Sequence, residues 1–545
     1  MQCRHPDGLA PKVPGQPVIR CKGDFCTKSR SSTVMGLEAS RFAEHHIPTM
    51  FPMPNYNTLF YGDNLEVLPR IASDSVDLIY LDPPFKSDAQ YNVLFRTLKG
   101  DPSSAQIHAF DDTWSWGVEA EAALASIEAG SVPPEVAVFI HAMFSVLKKS
   151  DMMAYLVMMA PRLVEMRRVL RSTGSIYLHC DPTASHYLKL LMDAVFGVKF
   201  FQNEIIWQYS IGGRSRRYFP RKHDVIFFYT KSSDYVFNDK DVRVPMDAGT
   251  KSFGGRLEED EDGRKYRLVW GTGRKKLYKY YLDEGKLPED VWPIQSIQSQ
   301  DAERLGYPTQ KPLALLDRIV RASSPPGGVV LDPFCGCGTA VDAAQQLGRQ
   351  WIGIDVAYIA IDLIRNRLVG RYGPDILSTF HTDGIPQDVE GAYALADANK
   401  IDFERWAVSM VHGQPTKASG DEGIDGNIFF AKTYKEPMDV GTCVVSVKGG
   451  GNLNPGMVRD LAGTVSGSGA QMGLLVTRVN PSAGMITEAS KHGSYIHEAT
   501  GTIYPKIQIM TVTELLDDKH PSIPSPLPPY MQATWAPASV AVQLF

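Results

Sequence analysis

Apolar residues in this chain gather in short unbroken runs rather than in strict alternation. Val76-Asp77-Leu78-Ile79-Tyr80-Leu81 is one such run, and it stops abruptly at Asp82-Pro83-Pro84-Phe85. Runs of this length with a polar tip predict buried parallel strands that carry chemistry at their carboxyl ends. Residues 152–170 place apolar side chains at helical spacing, 175–179 form the next strand-like run, and 185–196 are helical again. The rhythm returns after Gln310-Lys311-Pro312 and holds to about Arg371. Strand and helix signals in alternation predict an α/β core on a mainly parallel sheet.

Outside that core the pattern changes. Residues 1–50 are rich in Pro, Gly, Ser and Lys/Arg without periodicity, and read as a loose arm. Cys3, His5, Cys21 and Cys26 lie in it, at a spacing that matches no standard zinc finger. The core domain spans 51–371 and is interrupted near 232–300, where the acidic run 258–262 adjoins a basic and aromatic one, 264–281. Residues 372–402 read as a connector, 403–517 as a smaller domain with its own strand and helix signals, and 518–545 as a Pro-rich flexible tail.

Composition narrows the class. A chain of 545 residues suggests about three or four domains. Its formal net charge of −5 excludes a globally basic nucleic-acid coat protein but not a local DNA groove. Seven cysteines are too few for a disulfide scaffold, so a reducing, cytoplasmic setting is expected. No apolar stretch approaches the roughly 18–20 residues of a membrane span, and no secretory leader is expected from the first residues.

Two segments carry candidate chemistry. In GVVLDPFCGCGTAVDAAQQLGRQWIGID (328–355), a strand leads into a loop with Gly336 and Gly338, then a helix, then a strand tipped by Asp355. Such a loop lets backbone approach a ligand, and an acid at the second strand tip can accept ribose hydroxyls. The third glycine of a dinucleotide motif is missing, since position 341 is Val, so a nucleoside without a pyrophosphate fits better. In Asp82-Pro83-Pro84-Phe85, a carboxylate and a carbonyl can accept hydrogens from an exocyclic amino group. Two prolines stiffen the backbone and a ring can stack on a base. A plain turn also accounts for this tetrapeptide taken alone.

Taken with Tyr61-Gly62-Asp63-Asn64, the run Gly174-Ser175-Ile176-Tyr177-Leu178-His179-Cys180-Asp181, Lys222-His223-Asp224 and Tyr307-Pro308-Thr309-Gln310-Lys311-Pro312, these segments stand in a telling order. Over about 56–370 the chain resembles the beta class of S-adenosylmethionine-dependent DNA amino-methyltransferases. The resemblance implies a Rossmann-like methyltransferase fold with a mainly parallel sheet. It implies S-adenosylmethionine lying over Asp332, Phe334, Gly336, Gly338 and Thr339, with Asp355 on the ribose and Gln310 and Lys311 closing the methionine end. It implies a base flipped out of double-stranded DNA, stacked on Phe85 and held by Asp82 and the Pro83 carbonyl, with Pro84 stiffening the turn. Transfer would be direct displacement without metal. Asp in the first tetrad position favours adenine N6, with cytosine N4 as the alternative. Cys335 and Cys337 lack the context of a cytosine-C5 nucleophile and suit packing.

The resemblance also assigns 205–300 to a DNA-recognition insert, with Arg214, Arg216, Arg217, Arg264, Lys265, Arg274 and Lys275 facing phosphates. A homodimer, and subunits of a restriction or defence system, stay open as partners; a membrane is not expected. Residues 403–517 resemble the Mrr-like branch of the PD-(D/E)xK nucleases, an α/β restriction-endonuclease-like domain. That resemblance implies Asp425 as a Mg²⁺ ligand, Lys448 as the lysine of the site and Glu404 as an accessory acid. Ser446 stands where the family has Glu or Gln, and a hydroxyl is a weaker Mg²⁺ ligand. An active nuclease in a single-chain restriction–modification enzyme and a DNA-binding domain with a degraded site both remain open.

Overall fold

A computed structural model describes residues 57–84, 116–210, 216–246, 256–270, 276–298, 300–305, 307, 309–386, 388–416, 423–433, 439–517 and 519–526. Phe85, Arg214, Arg274, Lys275 and the four zinc candidates of the arm lie outside the described residues.

The chain opens with strands β1 (Asn57–Tyr61), β2 (Val76–Leu81), β3 (Leu170–Cys180), β4 (Phe201–Gln208) and β5 (His223–Thr230). Next come β6 (Leu257–Glu259), β7 (Lys265–Trp270) and β8 (Leu277–Tyr281), which form a small sheet of their own. Strands β9 (Val291–Trp292), β10 (Val329–Asp332), β11 (Gln350–Asp355) and β12 (Phe380–Asp383) complete a nine-stranded sheet of order β12-β1-β11-β10-β2-β3-β5-β4-β9. From β12 to β3 every pair is parallel, and β5 runs antiparallel between β3 and β4. The predicted α/β core is present.

The unbroken apolar runs follow from burial on both faces. All six residues of β2 are buried, as are all four of β10. Helices Asp151–Val169 and Pro182–Phe196 cover one face; Leu313–Ser323, Thr339–Gln346 and Tyr358–Tyr372 cover the other. β10 lies beside β2 with Leu331 level with Ile79. Asp332 and Asp82, far apart in sequence, therefore emerge at the same sheet edge, where an open α/β sheet binds its ligand.

Three boundaries need correction. The end of β4 and all of β5 fall inside 205–300 yet belong to the main sheet, so the excursion from it lies between β5 and β9. The Tyr177 and Phe228 rings stack at 4.5 Å across β3 and β5, which places Phe228 in the packing of that sheet. The stretch 372–402 is not a bare connector: it holds edge strand β12, paired with β1, and helix Val389–Ala398. β12 has one apolar residue, Phe380, so no apolar run marks it. The tail is docked at its start, where Ser522 and Gln508 exchange two hydrogen bonds of 2.9 and 2.8 Å.

Strands β13 (Gln414–Pro415), β14 (Gly426–Ala431), β15 (Val440–Lys448), β16 (Met472–Thr477) and, after the hairpin β17 (Ser494–Ile496) and β18 (Ile503–Pro505), β19 (Ile507–Thr511) build the second sheet, in the order β13-β14-β15-β16-β19. Helix Lys400–Met410 lies in the core on one face and Pro455–Ser468 in that on the other. The two sheets share apolar packing: Tyr358 and Ile385 contact the cores of both, and the Tyr358 hydroxyl reaches Met410 Sδ at 3.5 Å. Among the described residues no helix is long and apolar enough to cross a membrane.

Candidate active site

The glycine loop between β10 and helix Thr339–Gln346 is shaped by close packing. Gly338 has a φ of 73°, and a Cβ there would meet Ile364 at 2.6 Å. A Cβ on Gly336, at φ 47°, would meet the Tyr307 ring at 3.2 Å. Only glycine tolerates both the left-handed backbone and the crowding. The loop is tied to Asp355, whose carboxylate accepts the Gly336 N–H at 2.8 Å and the Ala357 N–H at 2.9 Å. Desolvation pushes the Asp355 carboxyl up to about 6 against the pull of these bonds. Asp332 is buried and accepts the Phe334 N–H at 3.1 Å. Burial, then the nearby Asp82 and Asp355 charges, push its carboxyl well above the carboxylate range, against the pull of that bond. Burial also pushes the Cys335 and Cys337 thiols up, which suits packing rather than a nucleophile.

Asp82 sits at the tip of β2 beside this loop. Its Oδ2 is paired with Lys311 Nζ, with both side chains nearly enclosed. Its Oδ1 is buried and has no hydrogen-bond partner among the described residues. Leaving a buried acceptor unpaired costs about 1–3 kcal/mol, so the atom is a site awaiting a donor. The loop's glycines, the acid at the β11 tip and the open carboxylate oxygen converge on one edge.

A family model described as DNA methylase, of the N6 and N4 type, matches residues 76–366, more than half of the chain. The chain belongs to this DNA methylase family. DNA adenine methyltransferase YhdJ of Escherichia coli (strain K12) is 27% identical over 325 residues, covering 59% of this chain and 86% of its own length. Type II methyltransferase M.HpaI of Haemophilus parainfluenzae is 31% identical over 211 residues, covering 38% of this chain and 58% of its own. A solved structure of a putative DNA modification methylase from Thermus thermophilus, complexed with S-adenosyl-L-methionine, superposes with a TM-score of 0.30 at 18% identity, over 60% of this chain and 99% of its own. The protein is a DNA methyltransferase.

Lys311 and Gln310, expected at the methionine end of the cofactor, make contacts within the chain. The Lys311 side chain goes to Asp82, while its backbone carbonyl accepts the Thr339 hydroxyl at 3.2 Å. Gln310 braces its own loop, accepting the Leu305 N–H at 2.7 Å and donating to the Glu303 carbonyl at 2.5 Å. Other supports have little sequence signal. Asn64, from the Gly-Asp-Asn motif, donates to the Pro333 carbonyl at 2.8 Å and is held by Arg162 at 2.6 Å. Arg367 pairs with Asp342 at 2.9 Å and donates to the Cys337 carbonyl at 3.2 Å.

Arg216 and Arg217, between β4 and β5, are exposed, as is Lys265 in the methylase's excursion. Arg264 is not a free phosphate ligand: it pairs with Asp283 at 2.7 Å and Glu284 at 3.3 Å, and stacks on Tyr281 at 4.0 Å. Trp270, Tyr278 and Tyr280 stay exposed on the small sheet.

The second sheet gathers its four candidates. Asp425 Oδ2 accepts the Val447 N–H at 2.6 Å and the Ser446 hydroxyl at 3.3 Å, and Lys448 Nζ donates to Ser446 Oγ at 3.0 Å. Glu404 is close enough that Asp425, after burial, raises its carboxyl. Asp425 Oδ2 is thus taken by a backbone N–H and a lysine-held hydroxyl. Among the described residues no group of three or more His, Cys, Asp or Glu is placed to hold a metal.

Proposed function

We propose that the methylase transfers a methyl group from S-adenosylmethionine to N6 of adenine at a specific sequence in double-stranded DNA. The observation that carries the reading is the open Asp82 Oδ1 beside the glycine loop. When bound, the cofactor supplies an electrophilic methyl on sulfur. Asp82 Oδ1 accepts one amino hydrogen and the Pro83 carbonyl the other, which aims the nitrogen lone pair. Lys311 pairs with the other carboxylate oxygen, Oδ2. The base leaves the duplex stack to reach this edge, and Phe85 stacks on it. Positioning and fixed charge supply the catalysis. The adenine function in the name of the Escherichia coli relative supports N6 over cytosine N4. Methylation-aware sequencing of host DNA with and without the protein tests this: N6-methyladenine at one motif is expected, and N4-methylcytosine or no mark overturns it.

Asp355 serves the ribose in this reading, and it gives the site a pH dependence. Its carboxyl is raised to about 6, so it is ionised above that pH and protonated below. Cofactor affinity should therefore weaken as pH falls from about 7 to about 5. Asp355→Ala should bind about 10- to 100-fold less tightly, as for loss of a charge-assisted hydrogen bond, and should lose the pH dependence. Calorimetry on both proteins across that range checks it; unchanged affinity in the variant moves the ribose contact elsewhere.

For the second sheet we infer a DNA-contacting domain with little cleavage, since Ser446, held by Lys448, stands where the family has Glu or Gln, and a hydroxyl is a weaker Mg²⁺ ligand. The full-length protein with Mg²⁺ should cut unmodified DNA poorly, and Lys448→Ala should change that little. Robust cutting that disappears in both Asp425→Ala and Lys448→Ala would favour the restriction–modification reading instead.

A further inference from the structure

A buried polar chain runs beneath Asp82 that the reaction as described does not use. The Tyr80 hydroxyl lies 2.9 Å from His179 Nδ1, and His179 Nε2 lies 3.2 Å from Asp224 Oδ2. The Tyr209 hydroxyl closes the chain, donating to Asp224 Oδ1 at 3.1 Å. Tyr80 and His179 are buried, and Trp207 stands edge-on to the imidazole at 5.4 Å. Both His179 and Asp224 fall in sequence motifs to which the methyl transfer gives no role.

The direction of this chain follows from chemistry. Burial pushes the Asp224 carboxyl up, but hydrogen bonds from His179 and Tyr209 and the nearby Lys311 charge hold it below its ordinary value. An ionised Asp224 only accepts, so His179 presents its Nε2–H there. With that assignment Nδ1 is the acceptor of the Tyr80 hydroxyl, which donates to it. Tyr80 stands two residues before Asp82, and alternate strand residues share a face. β2 and β3 are paired through Leu81 and Leu178, so Asp82 and His179 come next on the two strands. After burial, Asp82 is the first of the charges that raise the Tyr80 phenol. The phenol is thus a buried donor on the strand face that Asp82 shares, turned to His179 and not to Asp82 Oδ1, which has no partner among the described residues.

We propose that His179, oriented by Asp224, is a positioning residue that engages the Tyr80 hydroxyl and so keeps Asp82 Oδ1 open for the amino group of the target base. Without it, the Tyr80 hydroxyl turns to Asp82 and competes with the substrate. The inference rests on the assignment of Asp82 as the amino-group acceptor. It predicts a loss that a second substitution repairs.

The test uses the full chain, measuring methyl incorporation into DNA, cofactor affinity and the unfolding midpoint. H179F should lower kcat about 10- to 100-fold, the worth of one hydrogen bond to a charged group, with cofactor affinity kept. Adding Y80F removes the competing donor and should restore most of that activity, a non-additive recovery that a merely structural defect does not show. D224N, which loosens the imidazole without removing it, should give a smaller loss that Y80F also repairs, and it covers failure of H179F to fold. Full activity in H179F, or no recovery in the double variants, overturns the proposal. D82A run in parallel separates the causes: if D82A is active, the acceptor assignment itself is wrong, whereas an inactive D82A with no Y80F rescue condemns only the role of His179.

Discussion

Asp82→Ala is expected to abolish methyl incorporation, with kcat down by about 10²–10³-fold or more, the usual effect of deleting a preorganised polar group at the reacting centre. The substitution does more than remove an acceptor. Lys311 is paired with Asp82 in a nearly enclosed position, so the alanine also removes one side of an ion pair. Breaking such a pair from one side costs about 3–5 kcal/mol. A fall in stability alone could then imitate a catalytic defect. Asp82→Asn separates the two, because it keeps the shape and the acceptor oxygen but not the charge. It should recover stability in part and still transfer slowly. The glycine loop and Asp355 are untouched by either change, so cofactor affinity should stay near that of the unaltered protein. Calorimetry, an unfolding curve and single-turnover methylation on the same samples check all three. Near-normal transfer by Asp82→Ala would sink the role given to it.

The parts of this site that require unusual residues are legible in the sequence. Gly336 and Gly338 stand out because left-handed backbone and the approach of Tyr307 and Ile364 leave no other choice. The Asp82 tip stands out because β2 is buried throughout and its apolar run has to end somewhere. What cannot be read is what depends on who meets whom. The basic text around Arg264 suggests phosphates, but Asp283 and Glu284 fold back onto it. The motif of Lys311 precedes the loop and so points to the cofactor, whereas its flexible side chain reaches the neighbouring strand tip. Strand β12 carries no signal, since an edge strand needs only Phe380 against the core. The four residues around Asp425 can be named in advance, but not that Lys448 holds the Ser446 hydroxyl.

The largest stability effect should come from a residue no motif marks. Asp342 is completely enclosed and accepts from Arg367 at 2.9 Å, Arg371 at 2.9 Å and the Tyr372 hydroxyl at 2.8 Å. Arg367 is equally enclosed. Asp342→Ala removes the carboxylate paired with that enclosed guanidinium and should cost about 3–5 kcal/mol, read as a lowered denaturation midpoint. An apolar pair of similar volume, Asp342→Leu with Arg367→Met, should recover most of the loss, because both charges then go together. Arg367 also donates to the Cys337 carbonyl at 3.2 Å and to the Thr339 hydroxyl at 3.1 Å. No apolar pair can replace those two bonds, which pin the glycine loop against its helix. The double variant should therefore regain stability without regaining cofactor affinity. Recovery of both would mean that the ion pair serves packing alone, and an unchanged midpoint in Asp342→Ala would mean that the enclosed charge has found another partner.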